Sequence, residues 1–142
     1  MRRLLLALSF SAGLASGAFA QSAEIEANIA AQIQAFKADD FATAFTFASP
    51  GIQQLFRNPE NFGAMVRNGY PMVWRPAEVR FLDLREIAGS LWQKVMIVDA
   101  SGQVHFLDYQ MVQQENGWKI NGVQLLRNSD PSAERNTTVT VT

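Results

Sequence analysis

The chain has 142 residues, 48% of them hydrophobic, enough for one globular domain with a core and too few for two. It contains no cysteine, which excludes disulfides, thiol catalysis and thiolate metal sites. The formal net charge is −1, with both signs interspersed and no basic stripe, so neither nucleic acid nor an anionic membrane surface is an expected partner.

Residues 1–20 read as a secretory signal peptide. Arg2 and Arg3 are followed by the apolar run Leu4 to Phe10 with Ala12 to Ala15, and Ala18-Phe19-Ala20 is a small-x-small cleavage pattern before Gln21. The run is broken by glycine and serine and lacks the persistence of a membrane span, so no membrane span is expected. Cleavage after Ala20 removes two arginines and leaves ten basic against thirteen acidic residues, a net charge of −3. The short basic and apolar leader implies an exported protein in a bacterial periplasm.

A helical half follows. Ile25, Ile29, Ile33 and Phe36 recur at spacings of four, four and three, predicting an amphipathic helix from Ala23 to Ala38 with Glu24 and Glu26 favouring its N-terminal dipole. Asp39 or Asp40 caps a second short helix whose apolar face is Phe41, Ala44, Phe45 and Ala48, and Pro50 stops it. Ser49-Pro50-Gly51 restarts the chain as a single turn through Ile52, Leu55 and Phe56. Asn58-Pro59-Glu60 opens a further helix that buries Phe62, Met65 and Val66 and ends at Gly69 in a left-handed stop. These aromatics read as core, with Phe41, Phe45 and Phe62 also available to line a pocket.

Asn68 to Pro76 is the joint between helices and strands. It carries Tyr70, Trp74 and Arg75 between two prolines that hold the chain extended. Tyr and Trp join a large apolar surface to one polar atom, and Arg pairs with carboxylates or stacks on rings, which suits ligand or partner recognition; plugging the end of the core uses the same properties. Four strands are then predicted, at residues 78–87, 91–99, 104–113 and 118–127. They are separated by Ala88-Gly89-Ser90, Ala100-Ser101-Gly102 and Glu115-Asn116-Gly117. Connections this short make an antiparallel meander.

The third strand places Val104, Phe106, Asp108, Gln110 and Val112 on one face and His105, Leu107, Tyr109 and Met111 on the other. Apolar residues on both faces imply that both are covered, one by helices and the other by a second sheet in a homodimer. Residues 128–142 read as a flexible polar tail, giving a single α+β domain at 21–127.

The segments Ala44-Phe45, Ala48-Ser49-Pro50-Gly51-Ile52, Pro59-Glu60-Asn61-Phe62, Gly69-Tyr70-Pro71-Met72-Val73-Trp74-Arg75-Pro76 and Trp118-Lys119-Ile120-Asn121-Gly122-Val123 resemble domain of unknown function family 4864, small exported proteobacterial proteins. More broadly, helices ahead of a meander are similar to the nuclear transport factor 2-like, or cystatin-like, half-barrels. That resemblance implies helices closing the concave side of a curved four-stranded sheet around a conical cavity. It implies no single activity, because the superfamily holds isomerases, dehydratases, cyclases, ligand binders and interaction domains.

Asp108 is a carboxylate on a partly apolar strand face. It is a general base in the cone, with Tyr70, Tyr109 or His105 as donor, or a structural acid paired with an arginine such as Arg80 or Arg85, or one exposed at a sheet edge. His105, the only histidine, can shuttle a proton or sit hydrogen-bonded near a turn, and alone it builds no zinc site. Gly51, Gly63, Gly69, Gly89 and Gly102 are dispersed and form no phosphate-cradling loop, so no metal and no cofactor is expected. The leading expectation is a non-catalytic domain that binds a small, partly apolar molecule or a protein partner through its cone and rim, with Tyr70, Trp74 and Arg75 as binding residues. The alternatives are a cofactor-independent isomerase or dehydratase using Asp108, and a structural dimeric subunit.

Overall fold

A computed structural model describes residues 14–127, in which five helices precede four strands. The expected tail and residues 1–13 of the expected leader lie outside the described residues. Helix α1 is Leu14–Lys37, α2 Phe41–Thr46, α3 Pro50–Phe56, α4 Pro59–Gly69 and α5 Pro71–Trp74. The strands β1 Pro76–Ile87, β2 Ser90–Asp99, β3 Val104–Gln114 and β4 Gly117–Leu126 pair in the order β1-β2-β3-β4, all antiparallel. This is the α+β meander expected from the sequence.

The stripe of α1 is the spine of the core. Ile25 and Ile29 are completely buried, and Ile33 and Phe36 nearly so. Each such side chain contributes about 2 kcal/mol by leaving water. The helix begins earlier than Ala23 and runs unbroken past Ala20, where Ala18, Phe19 and Ala20 are exposed. Three of the helical starts are capped as their residue types require: Asp40, Ser49 and Asn58 accept hydrogen bonds from the backbone N–H groups of Thr43, Ile52 and Asn61. Pro50 and Pro59 occupy first positions, where the missing N–H costs nothing.

Two local expectations are corrected. Gly69 does not adopt a left-handed stop; it stays helical, and α4 gives way at Tyr70, which has φ −135° and precedes Pro71. The proline ring disfavours a helical conformation in the residue before it, and that is what ends α4. The stretch between the two prolines is likewise not extended, because Pro71 opens the helical turn α5 before Pro76 starts β1.

The helices cover one face of the sheet. Val95 and Ile97 of β2, Leu107, Tyr109 and Met111 of β3, and Trp118 and Ile120 of β4 are buried beneath them. Phe62 is the hub of a ring cluster, with centroids 5.8 Å from Phe36, 5.3 Å from Phe45 and 5.7 Å from Phe56. Gly63 lets α4 approach α2, since a Cβ there would lie 2.7 Å from the ring of Phe41. Between Phe47 and Ser49 the chain pairs with Ile120 of β4 through two backbone hydrogen bonds of 2.8 and 2.9 Å, tying the helical half to the last strand.

Register shifts interrupt β1 between Phe81 and Leu84 and the β3–β4 pair at Gln110/Met111. Such bulges bend and twist a sheet locally. Gln93, buried on the helix side, donates to the carbonyl oxygen of Leu82 within the first bulge at 2.9 Å. On the other face Trp92, Met96, Phe106 and Val112 are half-buried, and Val104 and Ile87 are exposed. The described residues of one chain therefore supply a covering for only one sheet face.

Candidate functional site

A cavity of about 240 Å³ lies between the helices and the sheet. Gln32 and Phe36 of α1 and Met65 and Val66 of α4 form one side, with Ile52, Leu55 and Phe56 of α3 beside them. Tyr109, Ile120 and Val123 come from the sheet, and Tyr70 from the joint closes the remaining side. Leu55 is 70% exposed, which places it at the mouth. Among the described residues no aspartate, glutamate, histidine, lysine or arginine lines the cavity; the polar side chains there are Gln32, Tyr70 and Tyr109.

Two of these three are already engaged. The Gln32 amide donates to the Ala44 carbonyl at 3.2 Å, and the Tyr70 hydroxyl donates to the Val123 carbonyl at 3.1 Å. The Tyr109 hydroxyl is buried without a hydrogen-bond partner. Burial, and to a lesser extent neighbouring Tyr70, pushes its ionisation well above the ordinary tyrosine range, so the group is a neutral phenol with a proton to donate.

The structure separates the residues singled out in the sequence into three places. Tyr70 and Tyr109 meet at the cavity. Asp108 does not: it pairs across the sheet with Lys94 and Gln124, on the face turned away from the helices. Arg85 places its two terminal nitrogens on the two carboxylate oxygens at 3.1 and 2.6 Å. Arg80 is instead bonded to Glu78 at 3.0 Å. The structural pairing of Asp108 is the one the geometry displays, and a base in the cone is not.

Trp74, Arg75 and His105 gather at a shallow surface depression with Asp99 and Ser101. Their polar atoms are turned to structural tasks. Arg75 donates to the Phe36 and Lys37 carbonyls at the end of α1, at 3.1 and 3.3 Å, and to Asp39 at 2.8 Å. The Trp74 indole donates to the same Asp39 oxygen at 2.9 Å, and the Arg75 guanidinium stacks 4.3 Å from the Trp74 ring. The indole first and the guanidinium second hold the Asp39 carboxyl below its usual range. Together they cap α1 and fix the joint.

His105 Nε2 lies 2.7 Å from Asp99, which also accepts from the Ser101 hydroxyl at 2.6 Å and from the Ser101 and Gln103 backbone N–H groups. Asp99 thus stands between serine and histidine, an order unlike a nucleophile–base pair, where histidine must touch the serine. Among the described residues no group of three or more potential ligands is placed to hold a metal ion.

Gln32, Ile52, Leu55, Met65 and Val66 were not predicted as site residues. Gln32 left a signal: it falls on the buried stripe of α1, three residues after Ile29, where a polar side chain needs a partner. Of the three phenylalanines offered as pocket residues, Phe62 lines the cavity, whereas Phe41 and Phe45 pack beside it.

A family model matches residues 18–133, most of the chain. The chain belongs to the family described as domain of unknown function (DUF4864). The match contains the whole cavity lining of this DUF4864 domain. A solved structure similar to it is that of Aln2 from a Streptomyces species, with 17% identity over 81% of this chain and 94% of that one and a TM-score of 0.44. No curated protein matches significantly.

Proposed function

We propose that this DUF4864 domain binds a small, largely apolar molecule in the cavity between its helices and its sheet, and that it does so in the periplasm after export. The cavity carries the reading: an apolar-lined space of about 240 Å³ between α1, α3, α4 and the sheet. Close packing normally leaves few voids larger than a water molecule in a domain. A dry apolar cavity of roughly 150 Å³ holds benzene, and drug-sized sites begin near roughly 300 Å³, so the natural occupant is of intermediate size. Among the described residues the lining offers no side chain that exchanges a proton near neutral pH, which favours binding over acid–base chemistry. Export is supported by the basic, apolar and small-residue order of residues 1–20.

Thermal denaturation against a library of small apolar compounds, with native mass spectrometry of protein purified from its own host, tests the binding. A ligand at about one hundred times its Kd is expected to stabilise the fold by about 2.7 kcal/mol. Val123→Phe fills the cavity from the sheet and is expected to abolish that stabilisation in a folded protein. Retained binding in the filled variant, or no binding across the library, overturns the reading. Export is tested by fractionation: recovery from the periplasm with Gln21 at the N-terminus is expected, and cytoplasmic protein retaining Met1 overturns it.

A further inference from the structure

We infer that helix α3 is a hinged lid through which a small molecule enters the cavity, turning on Ser49 and coming free at Arg57. The use of the cavity rests on the binding reading above; the movement of its wall does not. Three of the lining residues, Ile52, Leu55 and Phe56, come from this helix of seven residues. The other walls are fixed by what they bury: Ile25, Ile29 and Phe36 on α1, Phe62 and Val66 on α4, and Ile120 on β4. Helix α3 buries none of its residues, and Leu55 is open to solvent. A segment that withdraws so little apolar surface from water is among the first parts of a fold to open.

The two ends of α3 are held differently. Ser49 is buried, its N–H donates to the Ile120 carbonyl at 2.8 Å, and its hydroxyl donates to Asn121 Oδ1 at 2.8 Å while accepting from the Ile52 N–H at 3.2 Å. One turn on, the Gln53 amide donates to the carbonyls of Phe45 and Ala48, both at 3.1 Å. That end is a pivot. At the other end Arg57 is exposed, with φ 75° and ψ −41°, close to the strained γ-turn that a residue with a Cβ rarely adopts. Across this joint the Asn61 amide donates to the Phe56 carbonyl at 3.0 Å, and the Phe56 ring rests edge-on against Phe62. The strain at Arg57 favours release and the Asn61 bond opposes it.

Because the chain has no cysteine, one introduced thiol reports when the cavity is reached. Val66→Cys puts it on the cavity face of α4, and Val95→Cys puts it in the core away from the lining, where global unfolding exposes it. Alkylation by iodoacetamide, a small neutral reagent, is followed by mass spectrometry without added ligand. The cavity thiol is expected to react roughly tenfold or more faster than the core thiol, and roughly tenfold or more slower than free cysteine. Asn61→Ala, which removes the latch, is expected to speed the cavity thiol roughly threefold. Arg57→Gly, which relieves the strain of the closed form, is expected to slow it roughly threefold. Ile29→Val weakens the core without touching α3, so it is expected to speed the core thiol roughly fivefold and leave the cavity thiol unchanged. Met65→Cys repeats the test at a second lining position. A cavity thiol that reacts like free cysteine, that follows Ile29→Val in step with the core thiol, or that ignores both α3 variants overturns the lid. Failure of the compound library with these rates as expected removes the ligand and leaves the lid standing.

Discussion

Asp108 keeps only 9% of its side chain exposed, on a sheet face shared with Phe106 and Val112. A carboxylate so placed is tolerated only when its charge is answered, and the two-pronged contact from Arg85 answers it. Removing one partner of such a pair costs more than the pair itself contributes, because the other charge stays desolvated. Arg85→Ala is accordingly expected to lower the unfolding free energy by about 2 kcal/mol, less than for a wholly buried pair because Arg85 is 28% exposed. Asp108→Asn, which leaves Arg85 free to turn to water, is expected to cost about 1 kcal/mol. Urea denaturation of the two variants measures both numbers. Ligand affinity in the cavity is expected to be unchanged in each, since Asp108 lies on the opposite face from Tyr109; a large loss of affinity in Asp108→Asn would return the carboxylate to the functional site.

Among the elements, the β2–β3 hairpin is the one whose stability should respond most strongly to acid. Asp99 beside its turn accepts from His105, then Ser101, then the backbone of residues 103 and 101, and these bonds hold its carboxyl far below the usual aspartate range. A group whose ionisation is depressed by folding contributes stability that is complete above its unfolded value and is lost as the pH falls through its folded one. The hairpin is thus expected to hold at neutral pH and loosen only below about pH 4, where unfolded aspartate takes up its proton. Amide exchange at Ser101 and Gln103 follows it, and Asp99→Asn is expected to remove the acid dependence at these two amides. The elements themselves were largely legible. Period-four apolar spacing marked α1, the Asn58-Pro59-Glu60 start marked α4, and glycine-bearing turns separated the strands. The sequence reading failed at α5, where Pro71 looks the same whether it keeps a chain extended or opens a helical turn. It could also place Asp108 and Tyr109 on opposite faces by alternation, but both faces of β3 carry apolar residues, so the pattern did not say which one the helices cover. The cavity was least legible, because its wall joins side chains from Gln32 to Val123 whose convergence exists only after packing.

At the scale of the whole molecule, residues 14–20 are the first two turns of α1 and also the end of the proposed export leader. The burial pattern lets both hold. Ala18, Phe19 and Ala20 are exposed, with Phe19 78% accessible, whereas the fully buried stripe begins at Ile25 and continues through Ile29, Ile33 and Phe36. A chain that starts at Gln21 keeps every one of those core contacts. Its helix also acquires an acidic residue in its first turn, Glu24, which favours the dipole of the new N-terminus by about 0.5 kcal/mol. Deletion of residues 1–20 leaves every contact of that stripe in place and is therefore expected to change the unfolding free energy by no more than about 0.5 kcal/mol. It is also expected to leave ligand binding intact. Calorimetric Tm values and ligand titrations of the full and shortened chains decide it. A loss exceeding about 1 kcal/mol would mean that the first turns of α1 are needed by the folded domain, and cleavage after Ala20 could not then precede function.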